Sequence, residues 1–106
     1  MDIHKHDELL TTLQKQFAEG QIAVQFTQWD GEGDDEEVTE FRGTLVEWKL
    51  SDNDFGEKDL FILFRLKSED DIELLMEIPA EEENLAEWNE GRLTIFGTEA
   101  ELILTK

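Results

Sequence analysis

The chain has 106 residues, with 28 acidic and 9 basic side chains and a formal net charge of -19. That charge repels nucleic acid and anionic membranes and attracts basic partners. Apolar residues are 39% of the chain and come in patterned runs, which excludes a disordered acidic tail, and the absence of cysteine excludes disulfides, thiolate zinc sites and a cysteine nucleophile.

The length implies a single domain, residues 1–106, with a modest core. Residues 1–8 carry no apolar signal-peptide core, and no apolar run approaches the roughly 18 residues of a membrane span. The sequence reads as a soluble cytoplasmic protein with no membrane partner.

Leu9, Leu10, Leu13 and Phe17 give one apolar face, which predicts a helix over 6–19. Asp7 and Glu8 suit its positive end, and Gly20 suits the left-handed position at its close. A half-buried strand follows over 21–29, with Ile22, Val24 and Phe26 on one side. Glycines and acids make 30–36 a loop. The next strand, 38–50, changes parity near Leu45-Val46: Phe41 and Leu45 share one face, and Val46, Trp48 and Leu50 the other. Such a slip calls for a bulge or sharp bend, and Gly43 is placed to allow either.

After a loop over 51–58, the strand 59–67 is apolar on nearly both sides, so it is central or covered twice. A tight turn at 68–71 leads to the strand 72–78, where Leu75 interrupts an apolar/acidic alternation and Pro79 ends the element. Leu85 and Trp88, three apart, suggest a helical turn within 80–90 that plugs one end of the fold. Beyond Gly91, residues 92–96 and 101–104 are two short strands or one bent strand. The expected fold class is mainly β with an N-terminal α-helix, built as a small bent antiparallel barrel of five or six strands.

Three stretches carry a family likeness. Ile22-Ala23-Val24-Gln25-Phe26, then Phe41-Arg42-Gly43-Thr44-Leu45-Val46-Glu47-Trp48, and later Leu93 to Ile103, together resemble the two motifs of Sm-like proteins. The resemblance implies an N-terminal helix on a bent five-stranded, SH3-like barrel. RNA-binding members hold a base with an Asp and an Asn in the loop after the bent strand, for which Asp52-Asn53 is a loose stand-in. Phe96 stands where the family has an arginine, so the RNA-binding set is not intact.

Chemistry at a catalytic site has little to draw on. Tyrosine and cysteine are absent, Ser51 and Ser68 are turn formers, and His4 and His6 lie in a stretch expected to fray. Glu47 is the one acid inside an apolar stretch, and an outward-facing residue explains it. The acidic loops fail the calcium-loop test: counted from Asp30, position 6 is Asp35 and position 12 is Phe41. His4 and His6 form at most an adventitious metal pair. The sequence therefore points to no enzyme, no cofactor and no resident metal.

What remains is binding. Trp29 at a strand end and Phe55 between Asp54 and Gly56 are aromatics ringed by acids. With Asp30, Glu32, Asp34, Asp35, Glu36 and Glu37 they suit a basic protein surface through cation–π and charge contacts. Three readings follow: a module that binds a basic protein, a nucleic-acid mimic whose carboxylates stand in for phosphates, and an Sm-like RNA-binding ring subunit. A ring would multiply a charge of -19 by its copy number, which favours a monomer or dimer. Crowded carboxylates are expected to have raised pKa values, so that salt or mild acid stabilises the fold.

Overall fold

The computed structural model describes residues 2–29 and 36–106. The elements in chain order are β1 (Asp2–Ile3), α1 (His6–Phe17), β2 (Gln21–Trp29), β3 (Glu36–Asp52), β4 (Lys58–Arg65), β5 (Asp71–Ile78), β6 (Ala86–Asn89), β7 (Arg92–Phe96) and β8 (Ala100–Thr105). The fold is mainly β with one N-terminal helix.

The helix buries Leu9, Leu13 and Phe17, the stripe its spacing dictates. Lys5 offers no side-chain cap; instead the Glu82 carboxylate accepts the His6 N–H at 2.8 Å. Beyond the helix, Gly20 takes a φ of 84°, open to glycine without steric cost.

All strand pairings are antiparallel, and the strands form one sheet in the order β1-β6-β7-β8-β2-β3-β4-β5. Alternation sends Ile22, Val24 and Phe26 of β2, Leu60, Ile62 and Phe64 of β4, and Leu102 and Leu104 of β8 into one core with the helix. The register shift predicted near Leu45-Val46 is a β-bulge. Leu45 pairs with Phe64 and Glu47 with Leu63, so Val46 is the extra residue and is exposed. The bulge returns Trp48 and Leu50 to the core side, where both pack on it. Gly43 sits where a Cβ would lie 3.1 Å from the Arg65 carbonyl, close to the strand that crosses it.

Three expectations need correction. Among the described residues the sheet is not closed, and it has eight strands where the sequence reading has five or six; β1 and β5 are its edges. Residues 80–90 hold no helical turn: 86–89 form strand β6, paired with β1 and β7. Leu85 and Trp88 fit a helical period, but the hairpin decides the matter. Glu90 (φ 48°) and Gly91 (φ 83°) make a two-residue turn with both φ values positive, which sets Asn89 opposite Arg92. Trp88 reaches Phe17 edge-on, with ring centroids 5.5 Å apart.

Residues 2–6 are tied into the fold. Asp2 and Ile3 pair with Glu87 and Ala86, and Ile3 is fully buried. His4 Nδ1 donates to the Glu83 carbonyl at 2.7 Å, and His6 Nε2 to the Pro79 carbonyl at 3.0 Å. The two rings fasten the 79–83 segment to the start of the helix.

Candidate partner-binding surface

The turn between β7 and β8 is pressed against β5. A Cβ on Gly97 would lie 2.6 Å from Met76 Cε, 2.8 Å from the Ala100 carbonyl and 2.9 Å from the Glu77 carbonyl, so only glycine fits. Thr98 N–H donates to the Glu77 carbonyl at 2.9 Å, which links the turn to the edge strand. Trp29 N–H donates to the Glu99 carbonyl at 3.1 Å, which brings the end of β2 to the same place.

A groove of about 280 Å³ results, lined by Gln28, Trp29, Leu75, Met76, Glu77 and Glu99 together with Ala100. Its lining is mixed: Trp29 and Leu75 bring apolar surface beside Gln28 and the two acidic residues Glu77 and Glu99. Leu75 is 60% exposed, large for a leucine in a regular strand, and Trp29 is 36% exposed.

The β3–β4 turn adjoins this rim, and Asn53 organises it. Asn53 Oδ1 accepts the N–H groups of Phe55 (2.9 Å) and Glu57 (3.0 Å), and its backbone N–H donates to the Glu57 carbonyl (3.0 Å). Asn53 Nδ2 donates to Asp59 Oδ1 (3.1 Å) and to Glu77 Oε2 (3.0 Å), one amide holding two carboxylates. Thr98 Oγ1 donates to Glu57 Oε2 at 2.6 Å, a second tie between the turns. Phe55 at the tip is 83% exposed.

Of the residues singled out from the sequence, Trp29 lines the groove, Phe55 stands on the adjoining turn, and Glu36 and Glu37 are exposed at the start of β3, with Glu36 opposite Trp29. Asp30, Glu32, Asp34 and Asp35 lie outside the described residues. The sequence reading missed Leu75, Glu77, Glu99 and Asn53 as surface-forming residues. Leu75 alone left a signal, an apolar side chain at the acidic parity of its strand.

Electrostatics at two points reverse the expectation of raised carboxylates. Lys58, hydrogen-bonded to Asp52, holds the Asp52 carboxyl below its ordinary value. Arg65 grips Asp71 through Nε (2.9 Å) and Nη2 (3.3 Å), lowering the Asp71 pKa and raising that of the guanidinium. Among the described residues, Glu73, Glu77 and Glu99 have no cationic partner.

The chain is thus a mainly β protein with an open antiparallel sheet, and a groove lined by Trp29, Leu75 and two acids lies beside one of its edges. Comparison with protein-family models, with curated proteins and with solved structures finds no match. Among the described residues no helix is long and apolar enough to cross a membrane.

Proposed function

We propose that this protein is a non-catalytic acidic binding module whose partner is a protein with a basic surface. The observation that carries the reading is the Trp29–Leu75 groove, where two exposed apolar side chains lie beside Glu77 and Glu99, acids with no cationic partner among the described residues. An apolar anchor with charged surroundings gives specificity and long-range steering together. The exposed Phe55 and the acids Glu36 and Glu37 extend the surface available to a basic partner.

The finer assignment, a small Sm-like barrel, is part of the same proposal. It draws support from the N-terminal helix, the long bulged strand β3 and the glycine beneath Arg65. RNA binding is not proposed. Asn53, the stand-in for a base-holding residue, spends both ends of its amide on Phe55, Glu57, Asp59 and Glu77, and Phe96 has no donor to offer a base.

The test is capture from lysate at low salt by the wild-type chain and by Trp29→Ser, with a rising salt wash. A basic protein retained by the first, lost by the second and released by salt is the expected result. Retention indifferent to Trp29 and to salt overturns the reading. Displacement of the captured protein by duplex DNA would turn it towards nucleic-acid mimicry.

A further inference from the structure

Strand β5 ends the sheet, and its outer edge is only partly used. The Glu77 carbonyl faces away from β4, since it accepts from Thr98. In an antiparallel strand, the residues two and four before it direct their backbone groups the same way. Leu75 and Glu73 therefore present N–H and C=O groups outward along an edge that no other strand covers among the described residues. Their side chains share the outer face: Glu73 and Leu75 are exposed, while Leu74 and Met76 are buried.

Open edges invite pairing, and the side chains decide with what. A second copy is disfavoured. Antiparallel pairing of two β5 edges about a two-fold axis at Leu75 would set Glu73 of each copy opposite Glu77 of the other, and like charges directly opposite destabilise a sheet. A basic strand meets the reverse situation. Glu73 and Glu77 carry no ion pair among the described residues, and the Trp29–Leu75 groove beside them has room for one large side chain.

We propose that β5 binds an extended basic segment of the partner protein, added antiparallel as a further strand. The inference rests on the binding-module reading above and specifies its mode. The geometry fixes a pattern. An apolar residue lies opposite Leu75, in the groove with Trp29. A Lys or Arg two residues later lies opposite Glu73, and another two residues earlier reaches Glu77 and Glu99. The recognised segment reads basic–x–apolar–x–basic. Backbone pairing covers Glu73 and Leu75 and stops at Glu77, whose carbonyl is already taken. The acids of the edge thus oppose self-pairing centred on Leu75 and select the partner by the same charge.

The test uses a fluorescein-labelled nonapeptide with the core Arg-Thr-Leu-Thr-Arg, titrated against the full chain by anisotropy at low salt. Expected are saturable binding, slowed hydrogen exchange at the Glu73 and Leu75 amides, and at least a tenfold loss when the peptide leucine is N-methylated, which removes one strand bond and leaves the protein untouched. Glu73→Lys should weaken binding about tenfold. Equal affinity for the N-methylated peptide, or unchanged exchange at Glu73 and Leu75, overturns the strand-addition mode. If no such peptide binds while Trp29-dependent capture of a basic protein persists, the mode is wrong and the module reading stands. If that capture is absent as well, both fall. A dimer in light scattering that disappears with Leu75→Lys also overturns the proposal, because the edge would then serve a second copy.

Discussion

Replacing Asn53 by Asp exchanges one amide for one carboxylate of the same shape, in a position where two carboxylates already converge. Asn53 Oδ1 keeps its bonds from Phe55 and Glu57 in the variant, so the turn retains its template. The donors to Asp59 and Glu77, at 3.1 and 3.0 Å, are replaced by an oxygen. Two hydrogen bonds to charged groups are lost, at about 1.5–3 kcal/mol each when buried and less at a half-exposed site. Like charges some 4 Å apart add about 1–4 kcal/mol per pair between aqueous and surface dielectrics. The net expectation is a loss of about 3–6 kcal/mol at pH 7. Asn53→Ala, which loses all four side-chain bonds but adds no charge, should cost less, about 2–4 kcal/mol. The sign of the pH dependence follows. The introduced carboxyl has a folded pKa raised by its neighbours, so its penalty is full above that raised value and vanishes below the unfolded value of about 3.9. Urea unfolding followed by tryptophan fluorescence at pH 7 and pH 4, for wild type and both variants, measures this. An Asp variant no weaker than the Ala variant at pH 7, or a deficit that does not shrink in acid, would refute the bridging role of Asn53.

Further expectations concern the frame. Gly97→Ala forces a shift of backbone at Glu77 and Ala100 and should cost about 1–3 kcal/mol in thermal unfolding, with faster amide exchange at Thr98; an unchanged melting temperature would show the turn is not pressed on β5. Deleting Val46 removes the extra residue and leaves Leu45, Trp48 and Leu50 on the core side of a regular β3–β4 ladder, so cooperative melting and the near-UV dichroism should be kept; loss of both would refute the reading of Val46 as the bulged residue. Phe64→Ala, at a fully buried ring packed edge-on to Phe41 at 5.4 Å, should lose about 3–5 kcal/mol by denaturant titration. Asp71→Asn removes a carboxyl whose folded pKa is lowered by Arg65. A lowered acid stabilises above its unfolded pKa and loses that benefit as pH falls through the folded value, so the melting gap between wild type and variant should be present above about pH 4 and close below it.

Hydrophobic period and turn chemistry carried much of the fold in one dimension. The stripe Leu9, Leu13, Phe17 specifies the helix, the alternation Ile22, Val24, Phe26 specifies β2 to the residue, and the broken parity at Leu45-Val46 locates the bulge, because each is a local count of which side chains can leave water together. The same counts failed over 80–90, where Leu85 and Trp88 suit a helix as well as a strand and only the backbone bonds offered by β1 and β7 decide between them. Composition alone determined that the chain presents an acidic surface. Where that surface is built was beyond it. Trp29, Leu75 and Glu99 lie far apart in the chain, and they meet because Gly97 lets the β7–β8 turn press on β5 and because Thr98 and Trp29 close backbone bonds across the gap. The open edge of β5 has the same origin: whether a strand has one neighbour or two depends on where the rest of the sheet runs out, a long-range property that no local pattern encodes.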